Sequence, residues 1–409
     1  MIQTPELLSP AGDLSRLRAA VDFGASAVYL AGKDFGMRTS CANFTKDALA
    51  QGIGYAHEKG ARVYLACNTV PFPEEMDSLA AFAREAAELG VDAFIVSDLG
   101  AFRAVRRAVP RAVMHISTQA GVSNHETACL LYELGASRVI LARELRLEQI
   151  AAIRAKTPPK LELEAFVHGS MCLSVSGRCV ISDYLTGRGA NHGDCAQPCR
   201  WKYRLEEEKR PGQYLPVAEE DGFTYLLNSK DLCMIRHLPQ LIQTGVTSLK
   251  IEGRAKTAYY AAVTANAYRR AIQEWNAHPG IDRLPDWVAE ELEKVGHRPY
   301  STGFYLGGAP GQSPGQGGSL QSWEVCGVCT GWENGLLRVS QRNRFFEGDL
   351  LEALEPGGGR EPVTITVREL QNESHQPIGS APHAAMTVYF CSSRPFAPGT
   401  FLRRKVDRP

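Results

Sequence analysis

Five of the chain's eleven cysteines, Cys172, Cys179, Cys195, Cys199 and Cys233, fall between positions 172 and 233, while the other six are scattered. Such a grouping points to thiolate chemistry, because soft sulfur donors select zinc or an iron–sulfur cluster. The spacing is C-x6-C, followed by gaps of fifteen, three and thirty-three residues. Structural zinc sites favour paired short knuckles, so the looser pattern leans toward a larger cluster. Zinc, no metal at all and a nucleophilic cysteine stand as the alternatives. Glycines at 169, 177, 187, 189 and 193 let the backbone fold closely around a compact object. Cys67, Cys129 and Cys391 read as small core residues, and Cys326-x-x-Cys329 lacks a second pair.

The elements that must position these thiols follow a βα rhythm. Strand candidates are 6–11, 27–32, 62–68, 93–98, 113–119, 138–144, 161–169 and 248–253, mostly apolar as buried parallel strands are. Amphipathic stretches lie between them at 13–24, 44–60, 76–90 and 124–135, several with Asp or Asn before and Gly after. Eight such units predict an α/β fold, a TIM-like (β/α)8 barrel. The rival open sheet would carry G-x-G-x-x-G after its first strand, where this chain has Ser9-Pro10-Ala11-Gly12-Asp13. Function in a barrel sits where strands end, and those ends carry Asn68, Asp98, Gln119, Arg143, His168 and Glu252. Any one of these is equally a helix cap or a rim residue.

The seventh unit breaks the rhythm with a cysteine-bearing insertion at about 170–230, far longer than an ordinary βα loop. A helix is predicted over 231–245. The barrel is expected to span 1–306, a Gly/Ser/Pro linker 307–322, and a small β-barrel domain 323–409 with strands at 323–330, 336–339, 348–354, 363–369 and 386–390. With 45 basic and 45 acidic residues the net charge is zero, so no bulk positive field draws the chain to nucleic acid. The 44% hydrophobic and 22% charged composition excludes disorder and fibrous repeats. The opening residues do not resemble a secretory leader and no run reaches a membrane span's length, which predicts a cytoplasmic protein that does not engage membranes.

The stretch Glu164-Ala165-Phe166-Val167-His168-Gly169-Ser170-Met171-Cys172, with Ser176-Gly177-Arg178-Cys179 and Cys195-Ala196-Gln197-Pro198-Cys199-Arg200, closely resembles the signature of peptidase family U32, the collagenase-like proteins. Further matches are Glu6–Gly12, Asn228–Leu232, Leu249–Arg254 and Arg298–Tyr305. The resemblance covers nearly the whole chain. It implies oxygen-independent hydroxylation of a tRNA wobble uridine with prephenate as donor, of ribosomal RNA, or of a ubiquinone precursor; chain length is most similar to the tRNA branch. It also implies a [4Fe-4S] cluster on Cys172, Cys179, Cys195 and Cys233, with Cys199 as alternative ligand. A related branch uses an early cysteine, which keeps Cys41 in view.

A dicarboxylate donor needs cationic forks, and Arg143, Lys250, Arg254 and Arg38 are the candidates, with Glu252 beside them. Glu164 and His168, expected on one face of the seventh strand, are candidate proton relays. RNA contact is expected from Arg342, Arg344, Phe345 and Phe346 and from Arg403-Arg404-Lys405, although an ordinary charged surface reads the same way. An electron donor or a related family member is a further expected partner. Against these stands a peptidase: H-E-x-x-H and a strand-end G-x-S-x-G are missing, leaving a pair such as Cys172 with His168. A non-catalytic RNA-binding factor is the third reading.

Overall fold

The computed structural model describes residues 4–36, 43–172, 179–190, 193–201, 219–220, 223–224, 229–281, 283–308 and 320–406. Eight parallel strands make the barrel: β1 (Glu6–Pro10), β2 (Ala27–Leu30), β3 (Arg62–Cys67), β4 (Ala93–Val96), β5 (Met114–Ile116), β6 (Arg138–Ile140), β7 (Glu162–Ser170) and β11 (Ser248–Ile251). Each of β1 to β6 pairs with the next, and β11 closes the ring by pairing with both β7 and β1. The TIM-like barrel expected from the βα rhythm is therefore present. Its strands are short and almost wholly buried, as a ring covered by helices requires.

The helices α1 (Leu14–Asp22), α2 (Lys46–Glu58), α3 (Met76–Glu88), α4 (Leu99–Ala108), α5 (His125–Glu133) and α6 (Leu147–Lys156) alternate with the strands. Asp13, Thr45, Asp98 and Asn124 cap α1, α2, α4 and α5, each accepting the backbone N–H three residues on. Asp98 at the fourth strand end is thus a helix cap. The insertion after β7 contributes α7 (Ile181–Thr186) and the short strands β8 (Glu219–Glu220) and β9 (Phe223–Thr224).

The helix expected over 231–245 is only partly a helix. Asp231–Cys233 forms β10, running antiparallel to the end of β7 with Asp231 opposite Ser170 and Cys233 opposite His168. Its other edge pairs with β12 (Tyr300–Ser301). Helix α8 (Leu238–Gln243) begins only at Leu238, where Pro239 in the first turn sacrifices no needed hydrogen bond. Asp231 is held in the strand by Arg298, which donates to it from the backbone at 3.1 Å and from Nε at 3.0 Å.

Helix α9 (Ala258–Ala277) is buried on nearly all sides because it lies between the barrel and the C-terminal strands. That sheet, ordered β17-β16-β20-β13-β14-β19, is antiparallel and comprises β13 (Trp323–Glu333), β14 (Leu336–Gln341), β16 (Leu350–Leu354), β17 (Val363–Thr366), β19 (Thr387–Cys391) and β20 (Phe401–Lys405). A separate two-strand pair is formed by β15 (Phe345–Phe346) and β18 (Ser380–Ala381). Strand β20 went unrecognised in the sequence, and it is central. Its Phe401 packs edge-on against Tyr259 of α9, with ring centroids 5.5 Å apart, and joins the barrel core. Cys326 and Cys329 are buried in the sheet's own core. No helix among the described residues is long and apolar enough to cross a membrane.

Candidate functional site

The interior of the barrel is charged rather than apolar. Arg138 on β6 reaches across the lumen, its Nη1 donating to Glu6 of β1 at 2.6 Å and to Glu164 of β7 at 3.0 Å, while Nη2 lies 2.6 Å from Glu162. Ser248 bridges the same two lumen carboxylates, and the Tyr64 hydroxyl donates to Glu6 at 2.7 Å. Lys250 is 2.9 Å from Glu164 and lies 4.4 Å from the centre of the Tyr29 ring. Burial alone would push the Glu164 carboxyl up, but Lys250 and Arg138 hold it below the usual carboxylate range. Glu164 is thus fixed as an anion within an ion-pair network, which does not suit a proton relay. Lys250 is likewise committed to the network.

The expected common face for Glu164 and His168 fails. The β7–β11 register slips between Lys250 and Ile251, placing an extra residue in β7, and a bulge of this kind reverses the alternation of side chains. Glu164 contacts the lumen, whereas His168 packs against Tyr260 and Tyr268 of α9 and Tyr300 of β12, with centroids 5.3–5.9 Å away. Burial drives the His168 imidazole down to about 3, so it stays neutral at physiological pH. Its ring neighbours are tyrosines of α9 and β12.

This burial has a pH signature. Below the ordinary histidine value near 6.5 the unfolded chain binds a proton that folded His168 refuses until about pH 3, so stability is full above that range and declines as pH falls. One such proton is worth about 1.4 kcal/mol per pH unit. Urea unfolding at pH 6, 5 and 4 should show a shallower decline for His168→Gln than for the wild type, by up to that amount. Parallel pH profiles would show that the imidazole is not excluded from protonation.

Above the network, the strand ends converge at the mouth. Arg143, in the loop after β6, is buried; its Nη1 donates to Ser170 O at 3.1 Å and its guanidinium lies 5.3 Å from the Phe166 ring centre. It stands beside Cys172, and although burial alone would lower it, the sulfur and the Glu252 carboxylate raise the guanidinium's affinity for its proton. The Tyr29 hydroxyl donates to Ile251 O at 3.1 Å and is 3.5 Å from Glu252 Oε2. The Asn68 amide donates to Gln119 Oε1 at 2.9 Å across two strand ends. Arg254 is buried, its Nη1 3.5 Å from where a Cβ on Gly36 would stand. Two glycines permit this closeness: a Cβ on Gly12 would lie 2.1 Å from Arg254 O, and one on Gly169, at φ +104°, 2.3 Å from Glu252 O. Arg38 and Cys41 lie outside the described residues.

Two of the thiols lie at this end of β7: Cys172 is exposed two residues beyond the strand, and Cys233 sits on β10 opposite His168. Cys179, Cys195 and Cys199 are half-buried in the insertion, and none of the five is in a disulfide. The Gln197 N–H donates to Cys195 Sγ at 3.4 Å across a turn in which Gln197 adopts φ +56°. Burial pushes the Cys233 thiol up to about 12. In kind these donors suit a soft metal or an iron–sulfur cluster, with an arginine and a backbone N–H at hand to favour thiolate. Among the described residues no three His, Cys, Asp or Glu side chains converge to hold a metal ion in this structure.

In the C-terminal sheet, Arg403 is fully buried against Glu291 and Glu352, and Arg404 pairs with Glu324 and Asp349, which removes both from the expected RNA surface. Phe345 is buried, while Phe346 is exposed with Arg344 5.0 Å from its ring centre. Glu6, Arg138, Tyr64 and Tyr29 were missed in the sequence. The available signal was a charged or hydroxylated side chain at lumen-facing positions of otherwise apolar strands.

Residues 12–313 match the model of peptidase family U32, and residues 321–403 match that of the peptidase family U32 C-terminal domain. The chain is 33% identical to tRNA hydroxylation protein P1 of Bacillus subtilis (strain 168), covering 98% of this chain and 94% of that one. It is 35% identical to tRNA hydroxylation protein P of Escherichia coli (strain K12), over 94% and 93%. The 23S rRNA 5-hydroxycytidine C2501 synthase of the same organism is 36% identical over 75% of this chain and 46% of its own length. A barrel with a charged lumen and Cys172 beside a buried arginine at its mouth, matched along its length in this way, belongs to peptidase family U32.

Proposed function

We propose that this chain is an RNA-hydroxylating enzyme whose substrate is a tRNA wobble uridine, converted to 5-hydroxyuridine with prephenate as co-substrate. The observation that carries the reading is the end-to-end similarity to two tRNA hydroxylation proteins, each covered over more than nine-tenths of its length. The barrel mouth is compatible with it. Arg143 offers a planar fork of donors, of which Ser170 O and the Cys172 sulfur each take one, and Arg254 adds a second guanidinium near the same opening. Guanidinium forks are the side chains that hold a dicarboxylate in a fixed orientation. Lys250 and Glu164 act beneath them as a charged floor, and the Phe166 and Tyr29 rings shield it from water.

The cofactor belongs to the same proposal. Cys172, Cys179, Cys195 and Cys233, with Cys199 as alternative, are the ligands we assign to a [4Fe-4S] cluster, on their spacing and donor chemistry. A bound cluster would supply redox chemistry at the mouth.

Supplying the chain to a bacterium deleted for its own tRNA hydroxylation proteins tests the function. Mass spectrometry of tRNA nucleosides should show 5-hydroxyuridine derivatives restored; a profile identical to the deletion strain's overturns the reading. Oxygen-free purification from those cells should give stoichiometric iron and acid-labile sulfide that Cys195→Ala loses and Cys326→Ala keeps.

A further inference from the structure

Most of the described arginines have an acidic or carbonyl partner, and on one helix face three neighbouring exposed ones do not. Helix α4 contains no Asp or Glu. Arg106 is used structurally, donating to Ala112 O at 2.8 Å and Gly135 O at 2.7 Å. Arg103, Arg107 and Arg111 are all exposed, and among the described residues none of their side chains has an ion pair or a hydrogen bond. Arg103 and Arg107 are one turn apart on the solvent face, about 6 Å along the axis, and like charges so placed are mutually repulsive. Position at the helix C-terminus favours Arg107 through the dipole, but not Arg103, which is a turn further in.

The opposite end of the same face leads to the barrel mouth. Leu99, one turn before Arg103, is 56% exposed, and Phe72 and Val70 on the neighbouring loop are 53% and 44% exposed. The two loops are joined, with Ser97 Oγ donating to Asn68 O at 2.9 Å, and the Met76 methyl lies 3.9 Å from where a Cβ on Gly100 would stand. Glu75 is turned back onto the Phe72 N–H at 2.6 Å. An apolar lip with an exposed aromatic ring, continued by a row of unpaired arginines, combines base stacking with phosphate attraction as single-strand binders do.

We propose that the solvent face of α4 is a phosphate rail for the RNA substrate, with Arg103, Arg107 and Arg111 on the backbone and Phe72 and Leu99 receiving bases at the mouth. The inference rests on the RNA-hydroxylation reading and deepens it by assigning the path of the strand. The occupant is RNA rather than an acidic protein, because the lip is apolar and opens on the proposed reaction site.

The test is binding of an unmodified tRNA transcript to the full-length protein over a salt series. Neutralising the three arginines to glutamine should weaken binding by roughly tenfold to a hundredfold at 0.1 M salt and reduce the slope of log affinity against log salt by about 2, at about 0.7 per phosphate. Arg283→Gln, which removes an exposed cation paired with Asp286, should bind within about twofold of wild type. Phe72→Ala should weaken binding by roughly tenfold without changing the slope. Equal affinity and slope for wild type and triple variant would overturn the rail while leaving the RNA reading intact. A wild type that fails to bind tRNA would overturn both, and displacement of tRNA by polyglutamate at equal charge would overturn RNA as the occupant.

Discussion

Replacing Arg138 by methionine should destabilise the barrel by roughly 3–5 kcal/mol, the usual consequence of removing one partner from a buried ion pair. Arg138 is 1% exposed and is the cation shared by Glu6 and Glu164, whose side chains are 4% and 0% exposed. Without it, Glu164 retains only Lys250 and Glu6 only Arg62, whose side chain is half exposed, so the two buried carboxylates are left with two cations where there had been three. The cost arises from stranded charge and not from lost volume. Adding Glu6→Gln to Arg138→Met should therefore recover part of the loss, since a neutral group is far cheaper to bury and Glu164 stays to compensate Lys250. Denaturant unfolding of the single and double variants checks this. A single variant within about 1 kcal/mol of wild type would show that the lumen is well hydrated and the network weak.

The second large effect is expected at Arg403. Its guanidinium lies between Glu291 of α10 (Asp286–Leu292) at 2.5 Å and Glu352 of β16 at 2.8 Å, and Nη1 donates to the Tyr259 hydroxyl at 3.1 Å. Arg403 and Glu291 are both fully buried. This clamp fastens the C-terminal sheet to the barrel helices, together with Phe401 against Phe23 and Tyr259. Arg403→Met should cost roughly 3–5 kcal/mol by leaving the buried Glu291 and its neighbour Glu352 to share Lys294 alone. Arg403→Lys should restore little, because a single ammonium cannot reproduce a fork that serves two carboxylates and a hydroxyl. Limited proteolysis should release the C-terminal sheet from the methionine variant at protease levels that leave the wild type whole. Unchanged proteolysis and an unchanged unfolding midpoint would show that apolar contacts alone hold the junction.

These two arginines also mark where reading the sequence stops. The barrel was legible because eight short apolar runs recur with amphipathic stretches between them, and period and composition are local properties. Arg403 was read as part of a basic tail, since its partners at 291 and 352 are distant in sequence and only the fold brings them together. Glu6 and Arg138 escaped notice for the same reason, being 132 residues apart. The bulge in β7 defeated the placement of His168, because strict alternation cannot anticipate one inserted residue. Asp231–Cys233 looked helical beside the stretch that follows, yet pairing with β7 and the Arg298 ion pair make it a strand. What was legible of the site was its location: sequence put Arg143 and Glu252 at strand ends and Cys172 in the insertion after the seventh strand, and the structure brings them to one mouth.

The central claim is that this mouth, and neither the outer helices nor the C-terminal sheet, carries RNA hydroxylation. The most direct measurement is the 5-hydroxyuridine content of tRNA from the complemented deletion strain when the chain carries Arg143→Met, at matched levels of folded protein. A buried guanidinium that orients the co-substrate supplies roughly 2–4 kcal/mol of binding and positioning, so the modified fraction should fall by roughly tenfold or more. Wild-type levels of hydroxyuridine in that variant would contradict the account.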